Sequence, residues 1–147
     1  MTSPTQILVP TDFSQQAEEA LDYACVLAGK LGAKVHLLSV VGFPALAVPE
    51  LAVMMTDSLM RDMTDASQRG LERLASSRRS SHPIGDLLVR TGDARDVIPR
   101  VAQEIGAGLI VMGTHGRRGL SRALLGSVTE YVVRTSPVPV LTVRSRV

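Results

Sequence analysis

Short apolar runs alternate with longer amphipathic segments along the chain. The apolar runs predict strands at Ile7 to Thr11, Lys34 to Val41, Ile84 to Gly92, Gly108 to Gly113 and Val138 to Arg144. Between the first two, Ala17, Ala20, Leu21, Ala24, Leu27, Ala28 and Leu31 recur at helical spacing. Ser14 caps that helix, Glu18 and Glu19 supply an acidic first turn, and Gly32 stops it. A turn-rich connection from Gly42 to Pro49 leads to a longer helix carried by Ala52, Met55, Leu59, Met63, Ala66, Leu71 and Leu74. Asp93 caps a third helix over ARDVIPRVAQEIGA, and a fourth is expected from Ser127 to about Thr135.

Strands alternating with helices predict an α/β domain whose mainly parallel sheet is covered on both faces. In such open sheets ligands bind beyond the carboxyl ends of strands, where the chain order switches direction. The loops at those ends are PTDFS, VGFPA, TGDA and the long GTHGRRGLSRALLGS.

Composition narrows the function. A chain of 147 residues, 45% hydrophobic, suits one domain over 1–147. The net charge of +2 and 3% aromatics, without Trp, exclude a polybasic, aromatic-rich nucleic-acid binder. One cysteine, Cys25, rules out an internal disulfide framework and fits a reducing compartment. The opening residues lack a basic region followed by a long apolar one, and no apolar run is long enough for a bilayer. A cytoplasmic protein is the expectation.

The loop from Gly113 to Ser127 holds Arg117, Arg118 and Arg122 and no acid. It lacks the lysine of a P-loop, and the turn after the first strand lacks the glycines of a dinucleotide fingerprint. Ser121 lacks the second glycine of a nucleophile elbow, and His36, His82 and His115 are too dispersed for a metal site. Anion binding by backbone remains. Gly113 and Gly116 allow close approach or positive φ, as does Gly126 ahead of a helix. Ser127 reads as an N-cap, with Glu130 completing a capping-box pattern. The helix start offers free N–H groups and the positive end of a dipole, which suits a phosphate. Taken singly, each glycine is a turn, Ser127 a plain cap and each arginine a solvated side chain. Their coincidence at one strand's carboxyl end outweighs those readings.

Gly113-x2-Gly116-x9-Gly126-Ser127 matches the G-x2-G-x9-G-[ST] signature of the nucleotide-binding branch of the universal stress protein family. ILVPTDFS, VRTGDARDVI and the final LIVMGTHGRRGLSRALLGSVTEYVVRTSPVPVLTV also resemble that family, so the likeness spans essentially the whole chain. It implies a Rossmann-like, adenine-nucleotide alpha-hydrolase-like fold: an open five-stranded parallel sheet, order 3-2-1-4-5, with helices on both faces. It also implies that Pro10, Thr11 and Asp12 hold the adenine and ribose end. Val41, or alternatively Val40, lines the base pocket with Met112 and Gly113. Gly116, Gly126, Ser127, Val128 and Thr129 surround the phosphates, with His115 and Arg117 nearby. The ligand is ATP, AMP or ADP, with Mg²⁺ carried by the phosphates; no protein metal ligands and no catalytic residues are expected.

Three functions compete. An ATP-binding stress-response regulator without efficient turnover comes first, because only His115 could serve as a base and no lysine can follow a transferring phosphate. A slow ATP hydrolase or phosphotransferase comes second, and a nucleotide-independent interaction module third. Family likeness also implies a homodimer through the last strand, Val138 to Arg144, alongside an unidentified protein partner; Pro137, Pro139 and the terminal arginines argue for a monomer.

Overall fold

The computed structural model describes residues 2–43, 49–115 and 125–145. Strands β1 (Gln6–Pro10), β2 (Lys34–Val41), β3 (Ile84–Thr91), β4 (Leu109–Gly113) and β5 (Val140–Val143) form one sheet. Every neighbouring pair is parallel, and the order is β3-β2-β1-β4-β5. Helices α1 (Gln15–Leu31), α2 (Pro49–Ser76), α3 (Ala94–Glu104) and α4 (Ser127–Thr135) fill the intervals. The expected fold class, strand order and element sequence are what the molecule adopts.

Side-chain alternation on the central strand divides the core into two layers. Ile7 and Val9 join Ala20, Leu21 and Ala24 of α1 and Leu71 and Leu74 of α2. Leu8 faces the other way, against Val97, Ile98 and Val101 of α3 and Val132 of α4. All three β1 residues are fully buried, which explains why that strand reads as an unbroken apolar run. Each such side chain contributes about 1.5–3 kcal/mol by leaving water.

The helix signals hold at α1 and α3. Ser14 Oγ accepts the Ala17 N–H at 3.2 Å, and Gly32 closes α1 in the left-handed region at φ 67°. Asp93 accepts the Arg95 N–H at 2.9 Å. At α4 the expectation is corrected: Gly126 is the N-cap, Ser127 is the first helical residue, and no side chain caps the helix. The physical reason is a tether. The Gly126 N–H donates to Thr114 O at 2.7 Å, and Gly126 O accepts the Glu130 N–H at 2.9 Å. That places the serine inside the helix, and Glu130 pairs with Arg134 at 2.6 Å instead of reaching back.

β5 is shorter than the expected Val138 to Arg144, yet Pro139 O still accepts the Ile110 N–H at 2.9 Å. At the opposite end of the sheet, the His36 ring lies on Gly85. A Cβ at that glycine would stand 2.6 Å from the ring. The His36 Nδ1 accepts the Asp86 N–H at 3.0 Å, and its Nε2 meets the Gln6 carboxamide oxygen.

The chain leaves β1 toward β2 and returns on the other side of β1 at β4. The crevice between the carboxyl ends of β1 and β4 is the topological switch point.

Candidate functional site

A cavity of about 470 Å³ opens in this crevice, within the range of small-molecule sites. It is lined by Pro10, Thr11 and Asp12 after β1, and by Leu38 and Val40 on β2. Ala17 of α1 and Ala94 and Ile98 of α3 add apolar wall. Met112, Gly113 and His115 contribute from β4 and its end, and Gly126, Ser127, Val128 and Thr129 from the start of α4. Gly116 and Arg117, with Arg118 and Arg122, lie outside the described residues.

The turn after β1 is set by three side-chain bonds. Thr11 Oγ1 accepts the Phe13 N–H at 3.0 Å, Asp12 Oδ1 accepts the Ser14 N–H at 3.0 Å, and Ser14 caps α1. Phe13 between them has φ 62°, left-handed backbone that a bulky residue rarely adopts. Its ring packs on the α1/α2 layer against Gly70, where a Cβ would stand 2.6 Å from Phe13 Cε1. Anchorage of the ring thus supports the strained turn that presents Asp12.

Of the two valines at the end of β2, Val40 lines the cavity and Val41 does not. Val41 is buried, and its carbonyl accepts the Gly92 N–H at 3.0 Å on the β3 side. Strand alternation turns Val40 the other way. Leu38 O accepts the Thr11 N–H at 2.8 Å, the last rung between β2 and the chain leaving β1. Two residues on, the N–H and C=O of Val40 point to that same side, past the end of the ladder and toward the crevice.

The end of β4 is clamped to α4. Thr129 Oγ1, buried, donates to Gly113 O at 2.9 Å, and the Gly126 N–H reaches Thr114 O. Thr129 therefore spends its hydroxyl on the fold, leaving its N–H for other use. The α4 ladder begins with the Glu130 N–H, so those of Ser127, Val128 and Thr129 have no partner within the helix. Gly113 owes its identity to packing: a Cβ there would stand 3.1 Å from Gln16 O, and its φ is not positive. His115 Nδ1 lies 3.1 Å from Thr114 Oγ1.

Among the described lining residues Asp12 is the one acid, and none is Lys or Arg. At the adjoining start of α3, hydrogen bonds from Arg95 hold the Asp93 carboxyl down to about 2, and the Arg95 guanidinium lies 5.9 Å from the Tyr131 ring centre. Among the described residues no three His, Cys, Asp or Glu side chains gather as metal ligands, and no helix is long and apolar enough to cross a membrane.

Sequence reasoning missed Ala17, Leu38, Ala94 and Ile98. Two signals were present. Leu38 shares its strand face with Val40, and the Asp93 cap puts Ala94 in the first turn of α3 with Ile98 four residues on.

The chain matches known proteins over nearly its full length. Universal stress protein MJ0577 of Methanocaldococcus jannaschii is 28% identical over 155 residues, covering 96% of this chain and 95% of that one. Its solved structure superposes with a TM-score of 0.85 over 99% of both chains. Two more distant structures share the fold: a universal stress protein in complex with cAMP (TM-score 0.67, 23% identity, 97% and 98% coverage) and one from Arabidopsis thaliana with AMP bound (TM-score 0.64, 21% identity, 97% and 93% coverage). The model of the universal stress protein family matches residues 4–144. The chain belongs to the universal stress protein family.

Proposed function

We propose that this protein binds an adenine nucleotide in the β1/β4 crevice and acts as a stress-response regulator that senses the nucleotide without turning it over efficiently. The observation that carries this reading is one cavity with three complementary parts. The outward N–H and C=O of Val40 offer a donor and an acceptor, which match N1 and the amino group of adenine and oppose the pattern of guanine. Leu38, Val40, Ala94, Ile98 and Met112 supply apolar surface for a base, and Asp12 a carboxylate for ribose hydroxyls. The uncapped start of α4 suits the phosphates. Complexes of the fold relatives with cAMP and AMP support the same ligand class.

ATP is the proposed resident ligand, with Mg²⁺ held through phosphate oxygens and water. Pro10, Thr11, Asp12, Val40, Met112, Gly113, His115, Gly126, Ser127, Val128 and Thr129 form the binding set, with Gly116 and Arg117 added from the signature loop. Slow hydrolysis is the second reading, favoured by His115, the one imidazole in the cavity wall. The test is to denature freshly purified protein, identify any released nucleotide, and titrate ATP and AMP with Mg²⁺ by calorimetry. Bound ATP that persists on long incubation supports the sensor; steady conversion transfers the assignment to a hydrolase. Binding of neither nucleotide refutes both.

The site belongs to a cytoplasmic homodimer paired through Val138 to Arg144. β5 is the sheet edge, and Val140–Val143 are all partly exposed. Light scattering on the eluting protein should give twice the monomer mass; a monomer at micromolar concentration would refute the pairing.

A further inference from the structure

One buried ring takes no part in the crevice. His36 of β2 is 6% exposed and lies toward the amino ends of the strands, with Leu8 as its partner on β1. On its other side the ladder is irregular. Val35 pairs with Ile84 and Leu37 with Leu87, so His36 alone faces both Gly85 and Asp86. A bulge of this kind takes a backbone group of the longer strand out of the ladder. Here the imidazole replaces the missing rung: Nδ1 accepts the Asp86 N–H at 3.0 Å. Gly85 makes the room, since a Cβ there would stand 2.6 Å from the ring's Cε1 and 2.8 Å from Nδ1. β3 is the edge of the sheet, so no further strand backs this bond.

The rung fixes the ring's protons. A nitrogen that accepts carries none, so the neutral ring has its proton on Nε2, which donates to the Gln6 carboxamide oxygen. A second proton can go only to Nδ1. It turns the acceptor of the Asp86 N–H into a donor, and two donors then face each other. Another acceptor is within reach: Asp86 Oδ2 lies 3.3 Å from Nδ1, on a side chain 70% exposed.

The surroundings decide when that happens. Burial opposes the second proton most strongly, the Asp86 carboxylate favours it, and the Lys34 charge opposes it. β1 presents only the neutral Gln6. From α3, which packs on this face of β2 against Leu38, Glu104 is engaged by Arg90 and Arg100. The ring is therefore neutral at neutral pH and charges only in acid. We propose that His36 is an acid-operated latch on the β3 edge: protonation moves Nδ1 from the Asp86 N–H to the Asp86 carboxylate and frees the bulge at Gly85 and Asp86 from β2. The latch is independent of the nucleotide reading.

Amide hydrogen exchange, expressed as protection relative to the unfolded rate at each pH, tests this beside an imidazole NMR titration of the same samples. The Asp86 amide should lose about three- to tenfold in protection, the worth of one hydrogen bond, with the midpoint of the His36 titration. Amides of the central strands β1 and β4 should hold within about twofold over the same range. His36→Asn sets an oxygen acceptor near the place of Nδ1 that takes no proton in this range, so Asp86 protection should become flat with pH. Asp86→Asn removes the carboxylate that accepts Nδ1–H and should move the ring's midpoint down. Equal losses at Asp86 and in the central strands, or a loss that persists in His36→Asn, would overturn the latch. So would a midpoint unmoved or raised in Asp86→Asn, or a wild-type ring that stays neutral down to about pH 4.

Discussion

Gly70→Ala would test whether the cavity-lining turn after β1 is held from behind. In an exposed helix interior this substitution stabilises by about 0.5–1 kcal/mol, because glycine is the poorer helix former. Here the new methyl would stand 2.6, 2.8 and 3.2 Å from Phe13 Cε1, Cζ and Cδ1. The ring must retreat by roughly 1 Å to reach ordinary contact, and overpacking of that kind costs about 1–3 kcal/mol. Phe13 has little freedom to yield without also losing support for its left-handed backbone, itself worth about 1–2 kcal/mol of strain. The balance is a net loss of about 1–2 kcal/mol. Urea denaturation reads it directly, and the melting temperature should fall by about 2–4 °C for each kcal/mol. Because Asp12 and Ser14 flank Phe13, AMP affinity should fall several-fold in the same variant. Pairing the change with Phe13→Leu should return part of both losses, since the smaller side chain removes the clash. A Gly70→Ala protein that is more stable than the wild type and binds AMP unchanged would refute the coupling of ring, turn and site.

Gly126→Asp places a favoured cap residue at the start of α4 and a carboxylate at the proposed phosphate site, so stability should hold or rise while AMP affinity falls at least about tenfold; lost stability by denaturation would contradict the cap assignment. Burial holds His36 below its ordinary 6.5, more strongly than the Asp86 carboxylate raises it. The folded protein then binds fewer protons than the unfolded chain in that window, so its contribution to stability is present above pH 6.5 and is lost as pH falls from 6.5 toward the lowered value; an NMR titration of His36 with a midpoint above 6.5 would overturn this. Burial pushes the Cys25 thiol up to about 11, so a disulfide reagent at pH 8 should react with it only as fast as the protein opens, and immediate reaction in native buffer would refute the packing.

The fold was legible because its layers are written as periods. Continuous apolar strands such as Ile7 to Val9 state burial on both faces, and the caps at Ser14, Asp93 and Gly32 mark helix ends within a residue. What escaped was decided by partners distant in sequence. Nothing local distinguishes Val40 from Val41; only the rung between Leu38 and Thr11 fixes which one faces the crevice. Ser127 carried a capping pattern and does open the helix, but the bond from Gly126 to Thr114 puts the cap itself one residue earlier. Gly113 suggested ligand approach, whereas the backbone it must admit is that of Gln16.

Two bonds, Gly126 to Thr114 and Thr129 to Gly113, pin together the chain on either side of the signature loop. Both ends of that loop are held by the domain through these bonds. Doubling the length of such a closed connection costs only about 0.6 kcal/mol, so insertions and replacements there leave the helix start and its N–H groups where they are. The position of the helix start is therefore mechanically separable from the length of the connection that leads to it. A chain of this fold can thus change the length of that connection while keeping the same crevice between β1 and β4.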